Sequence, residues 1–184
     1  MKKLLIIVDM VNGFVKEGPM ADSYINNITP NIINLIQEFN KNEDKIISIQ
    51  EGHSSASKEF ESFPAHCILG TNEAELIDEL LPYKDNMKTI RKNSTSGFVT
   101  KEFINYLEEN KNSIEEVIIT GCCTDICVMN LALPLKHFIN ENNLDIKIKV
   151  YKNSVETYDA PTHNREEYNE IAFKIMSLNG IEIS

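Results

Sequence analysis

The hydrophobic pattern of this chain changes period repeatedly. Residues 4–8 are a continuous apolar run, the pattern of a strand buried on both faces. Thr29 with Pro30 marks a helix start, and Ile32, Leu35, Ile36 and Phe39 then follow the 3.6 period. Residues 45–50 carry Ile46, Ile47 and Ile49 and predict a second strand. Residues 51–70 show little periodicity and predict a long, irregular loop. A short helix is expected over 73–81, a strand over 87–91 and a helix over 100–109 capped near Thr100.

The second half repeats the alternation. Val117, Ile118 and Ile119 make 116–120 a buried strand, and Gly121 is expected to turn the chain into a helix beginning near Thr124. Pro134 should kink or shorten that helix, because it removes a backbone donor. A strand is expected over 145–150. A last helix starts at Thr162 and stops at Gly180, and 181–183 is a terminal edge strand. Strand alternating with helix predicts one α/β domain over 1–184: a three-layer sandwich around a mainly parallel six-stranded sheet. Ligands of such sheets bind outside the carboxyl ends of the strands. Asp9, the 51–70 loop, Lys92 and the cysteine cluster all fall at that edge.

Composition narrows the function. Lys plus Arg number 18 against 28 Asp plus Glu, a formal charge of −10. Such a chain is a poor phosphate binder, so neither nucleic acid nor an anionic membrane is an expected partner. The apolar run after Met1-Lys2-Lys3 ends at Asp9, too soon for a secretory segment. Three of the four cysteines (Cys67, Cys122, Cys123, Cys127) crowd into six positions, a poor layout for stapling distant segments. A reduced, cytoplasmic protein with a working thiol is expected.

Three constellations can carry chemistry. Cys127 lies in Thr120-Gly-Cys-Cys-Thr-Asp-Ile-Cys-Val128, at a helix start that would lower its thiol pKa. A lone cysteine is more often a small buried hydrophobe, but strand, glycine and helix start favour a nucleophile. Asp9 ends a buried strand and needs a partner; capping the 11–13 amides is as plausible a role as catalysis. Lys92 is a candidate partner, but Lys88 and Arg91 are close by, and spacing does not choose among them. Glu51, His53, Glu59 and His66 place two His and two carboxylates within sixteen residues, a donor set suited to Zn²⁺, Fe²⁺ or Mn²⁺. His137 and His163 fall in helix-like segments and receive no role.

The segments Val8-Asp9-Met-Val-Asn12-Gly-Phe14, Lys92-Asn-Ser-Thr-Ser96-Gly97-Phe98 and Gly121-Cys-Cys-Thr124-Asp125-Ile-Cys127-Val128 resemble the isochorismatase-like cysteine hydrolases. Phe63-Pro64-Ala-His66-Cys67-Ile-Leu-Gly70-Thr71 is similar to the metal loop of the nicotinamidase/pyrazinamidase branch. The resemblance covers nearly the whole chain and implies a catalytic triad of Asp9, Lys92 and Cys127. It also implies a cis peptide between Cys122 and Cys123, with the Cys123 and Cys127 amides forming an oxyanion hole.

The implied function is conversion of nicotinamide to nicotinate and ammonia through a cysteine thioester. Glu51, His53, Glu59 and His66 would hold a divalent ion, Zn²⁺ first and Fe²⁺ or Mn²⁺ next. Phe14 and Phe63 would pack on the substrate ring. A homo-oligomer is compatible with the resemblance. Glu51 stands where the family usually has Asp, Phe63 where it has Trp, and Gly13 where it has an acid. The alternatives are a metal-free relative acting on isochorismate, an N-carbamoyl compound or a ureido acid, and a binding protein with an idle triad.

Overall fold

The computed structural model describes residues 2–184. Six strands form one sheet: β1 (Lys3–Val8), β2 (Lys45–Glu51), β3 (Lys88–Lys92), β4 (Glu116–Cys122), β5 (Lys147–Glu156) and β6 (Glu182–Ile183). Their order is β3-β2-β1-β4-β5-β6, and every pairing is parallel. The helices are α1 (Asn12–Val15), α2 (Thr29–Lys41), α3 (Lys101–Asn110), α4 (Met129–Glu141) and α5 (Arg165–Leu178). They cover both faces, giving the three layers that the alternating pattern predicts.

The central strand explains its own composition. Leu4, Ile6 and Val8 pack with Phe103, Leu131, Leu135 and Met176 on one face. Leu5 and Ile7 pack with Phe14, Ile32, Ile36 and Phe39 on the other. A strand covered on both faces has no polar side to show, so it reads as a continuous apolar run. Strand order reverses between β1 and β4, which opens a crevice beyond their carboxyl ends. Asp9 leaves β1 there, and Cys123 leaves β4.

Several boundaries differ from the sequence pattern. Residues 73–81 are not one helix but parts of two tight turns, Asn72–Ala74 and Asp78–Asn86. Leu76 forms an antiparallel bridge with Val11, which interrupts any helix, and Pro82 lies inside the second turn. Thr29 opens α2 without capping it, its hydroxyl donating to Asn26 Oδ1 at 2.7 Å. Thr100 does cap α3, accepting from the Phe103 amide. The last helix begins at Arg165, because Asn164 takes the cap by accepting from the Glu167 amide. α4 passes through Pro134 to Glu141, so the proline does not shorten it.

Gly121 does not turn the chain. It lies inside β4 at φ +108°, where a Cβ would come within 2.0 Å of the Val8 carbonyl oxygen. The strand therefore runs on to Cys122 past a register shift, and β5 lengthens with it to Glu156.

Candidate active site

Four strand ends deliver the chemistry to one place. Asp9 follows β1 in the left-handed region at φ +52°, a conformation Asp tolerates better than most residues. Its Oδ1 accepts from the Glu51 amide at 2.8 Å, not from the 11–13 amides. Its Oδ2 lies 2.9 Å from Lys92 Nζ. Glu51 and Lys92 are direct register partners on β2 and β3, and Glu51 Oε1 sits 3.0 Å from the same ammonium. Cys127 Sγ is 3.8 Å from Lys92 Nζ, and it offers its sulfur within 4.8 Å of Asp9 and Glu51 oxygens.

The structure thus chooses among the three basic residues. Lys92 is 1% exposed, whereas Lys88 pairs with Glu102 at the surface and Arg91 reaches the Ala74 carbonyl and Glu75. Burial of Lys92 would favour its neutral amine, but Asp9, Cys127 and Glu51 outweigh that and hold it charged well above the usual lysine range. Burial pushes the Asp9 carboxyl up to about 6, against the pull of Lys92. Lys92 and the two histidines win over burial at Glu51 and hold its carboxyl low.

Cys127 overturns one expectation. It does not sit on the first turn of an α-helix; residues 124–128 form a wider π-type turn, and α4 starts only at Met129. Such turns concentrate at functional sites. Burial pushes its thiol well up, with Lys92 opposing, rather than down as expected at a helix end. The peptide between Cys122 and Cys123 is cis, as the family resemblance implies. All four cysteines are free and buried. Cys67 is walled off at 0% exposed, its thiol also pushed up by burial.

Beside Asp9, Lys92 and Cys127, the residues Glu51, His53 and His66 bring one ligand atom each within 4.8 Å of one another. The His66 Nδ1–H donates to the Pro64 carbonyl at 2.7 Å, which leaves Nε2 as the lone-pair end. His53 Nδ1 meets Asn93 Oδ1 at 3.2 Å, and that oxygen also accepts from the Ser54 amide, so His53 Nε2 is again the lone-pair end. It faces Glu51 Oε1 at 3.1 Å and Glu59 Oε2 at 3.7 Å, yet neither His53 Nε2 nor Glu59 Oε2 has a hydrogen-bond partner. Buried acceptors facing one another call for a cation.

The donor set fits a divalent ion. Glu59 stands outside the tight trio, tethered through Oε1 by the Thr95 amide at 2.9 Å and by the Thr95 hydroxyl. A second trio, Asp9, Glu51 and Cys127, does not fit: the Lys92 ammonium already lies within 3.8 Å of each.

Both groups open into one pocket. Phe14, Phe63, Met20, Ile126, Thr95 and Tyr158 line it together with Glu51, Glu59, His66, Cys123 and Cys127. Phe14 and Phe63 each present an edge-type contact to His66, at ring distances of 5.5 and 6.3 Å. Periodicity did not reveal Met20, Thr95, Asn93, Tyr158 or His163. The only sequence signal was the presence of Thr95 and Asn93 beside Lys92.

Residues 3–172 match the family profile of the isochorismatase domain. The chain belongs to the isochorismatase family. It is similar to nicotinamidase 1 of Arabidopsis thaliana, 30% identical over 176 residues that span 86% of this chain and 71% of that protein. The nicotinamidase of Bacillus subtilis superimposes with a TM-score of 0.82 at 28% identity, covering 100% of this chain and 99% of the other. The pyrazinamidase of Pyrococcus horikoshii in complex with zinc does so at 0.82 and 25% identity, over 100% and 99%. This isochorismatase-family chain is accordingly a hydrolase with the six-stranded fold of its relatives. Among its described residues, no helix is long and apolar enough to cross a membrane.

Proposed function

We propose that this protein is a nicotinamidase-type amidohydrolase that converts nicotinamide to nicotinate and ammonia. One observation carries the reading. The Cys127 thiol, with Lys92 and Asp9 behind it, and the lone-pair-rich Glu51, Glu59 and His66 lie on the wall of one pocket. A flat ring carrying an amide at one end and a basic nitrogen at the other meets both. The similarity to nicotinamidase and pyrazinamidase relatives supports the same substrate class.

Asp9 is the base. Its carboxyl, raised to about 6 by burial, takes the Cys127 proton as sulfur attacks the amide carbon. Lys92 keeps Asp9 ionised beforehand and stabilises the sulfur charge during attack. The carbonyl electrons move to oxygen, where the Cys123 and Cys127 amides donate, each worth about 3–4 kcal/mol in comparable sites. The C–N bond breaks as Asp9 hands the proton to nitrogen, releasing ammonia. A water then gives its proton to Asp9 and attacks the thioester. The C–S bond breaks, and sulfur recovers the proton.

Glu51, His53 and His66, with Glu59, would hold a divalent ion, zinc first; bound there, it supplies a Lewis acid for the ring nitrogen lone pair. Phe14 and Phe63 pack on the ring.

The test is ammonia release measured across nicotinamide, pyrazinamide, an N-carbamoyl compound and a ureido acid, with isochorismate cleavage followed separately. Turnover of the two pyridine-like amides well above the rest is expected. Preference for a carbamoyl compound or isochorismate would transfer the reading to the metal-free hydrolases. No turnover of any would leave a binding protein with an idle triad.

A further inference from the structure

His163 has no part in the chemistry above, yet it is only 7% exposed and is contacted at both ring nitrogens and on both ring faces. Its Nε2 lies 2.8 Å from Asp125 Oδ2, and its Nδ1 lies 3.0 Å from the Tyr158 carbonyl oxygen. Asp125 Oδ1 accepts from the Thr157 hydroxyl at 2.6 Å. The imidazole is sandwiched between two rings. Tyr158 stacks at 3.9 Å with 6° between planes, and Tyr168 at 3.8 Å with 28°.

The two ends of this arrangement matter. Asp125 belongs to the Thr124–Val128 turn that carries Cys127, two residues further on. Tyr158 is part of the wall of the same pocket as Cys127. The β4–β5 ladder ends at Cys122 and Glu156, and beyond it the side chains of Asp125, Thr157 and His163 link the turn to the wall. A carbonyl oxygen can only accept, and so can a carboxylate. A neutral imidazole would set a lone pair against one of them. The Nδ1–H therefore donates to the Tyr158 carbonyl, and one further proton, shared between Nε2 and Asp125 Oδ2, closes the second hydrogen bond.

We propose that His163 is a positioning residue: it braces the nucleophile turn, through Asp125, against the pocket wall at Tyr158. Its kinetic consequence rests on the amide-hydrolase reading, whereas its effect on the Cys127 thiol does not. A brace of this kind sets where sulfur and the neighbouring amides stand. Small displacements there cost about 100-fold in rate.

The experiment compares wild type with His163→Phe, which keeps the stacking and loses both donors, and His163→Gln, which keeps a donor for Asp125. Two readouts are normalised to folded protein: nicotinamide kinetics, and site-resolved alkylation of Cys127 by iodoacetamide. His163→Phe should lower kcat by roughly 10- to 100-fold with KM changed much less, and should change the alkylation rate. His163→Gln should recover a large part of both. In wild type, nitrogen-15 NMR should show Nδ1 of His163 protonated and Nε2 hydrogen-bonded to Asp125.

Should nicotinamide not be turned over at all, the alkylation rates and the NMR signature still decide the brace. Wild-type kcat and alkylation in folded His163→Phe would overturn it. So would an unprotonated Nδ1 in wild type, an outcome readable even where the phenylalanine variant does not fold.

Discussion

His53 and His163 are both buried, both sit among aromatic rings, and both face a carboxylate, yet their surroundings differ in kind. On the β5 side, each nitrogen of His163 has a hydrogen-bonding acceptor, at 2.8 and 3.0 Å. On the β2 side, His53 Nε2 approaches Glu51 Oε1 at 3.1 Å without a hydrogen bond, and Glu59 Oε2 beside it is equally unpartnered. Burial and distance alone would class the two histidines together. Satisfaction separates them: a closed set of donors and acceptors holds shape, and an open one marks where something must bind.

The sharpest division is chemical. Cys127→Ala should drop amide turnover by more than about 10³-fold while leaving the melting temperature close to wild type. Steady-state ammonia release on the folded variant checks this, and retained turnover would end the thioester mechanism for both sides of the pocket.

Lys92 is what makes Asp9 and Glu51 tolerable side by side. In protein stripped of metal, Lys92→Met leaves the two carboxylates buried beside each other with no cation. Urea unfolding should show a loss of about 3–5 kcal/mol. A loss under about 1 kcal/mol would mean that water reaches the pair.

Metal content tests the open and closed sets directly. Wild type and His163→Phe should carry the same divalent ion, and His53→Ala should carry little. Chelation should lower the melting temperature, corresponding to about 2.7 kcal/mol if free ion stood at 100 times its dissociation constant. Near-zero metal in wild type, His53→Ala and Glu59→Ala alike would erase the contrast and favour the metal-free hydrolase.

The pH profile probes Asp9. Its carboxyl is raised by burial, and the base must be ionised. Therefore kcat/KM should be flat above about 6 and fall tenfold per unit below it. An acid limb near ~4 would show that solvent reaches the carboxyl. The smallest effect belongs to Cys67→Ala, which removes a buried thiol that does not line the pocket. About 1 kcal/mol of stability should go, with kcat unchanged.

Much of this was legible along the chain. The alternation of periods predicted every strand of the sheet, most clearly β1 and β4, which are buried on both faces and read as apolar runs. It missed the breaks at Leu76 and Asn164, where a bridge and a cap acted against local propensity. The metal loop was legible as composition, two His and two carboxylates between a strand and a turn-rich segment. His163 was not, because a histidine ahead of an amphipathic helix resembles any other until its partners are known.

By itself the sequence determined an alternating α/β chain and the edge where its chemistry gathers, and it singled out Asp9, Cys127 and the four candidate ligands. These follow from short-range causes: which faces are apolar, and which residue types bind protons or metals. Only the tertiary structure decided the rest. The β2–β3 register put Lys92 beside Glu51 and left Lys88 and Arg91 outside. The close approach of Gly121 to Val8 carried β4 past the glycine and onward to Cys122. Exclusion of solvent by all three layers raised the Cys127 thiol that a helix end was expected to lower. Burial, register and the partners of a charge belong to segments far apart in the chain, and they have no value until those segments meet.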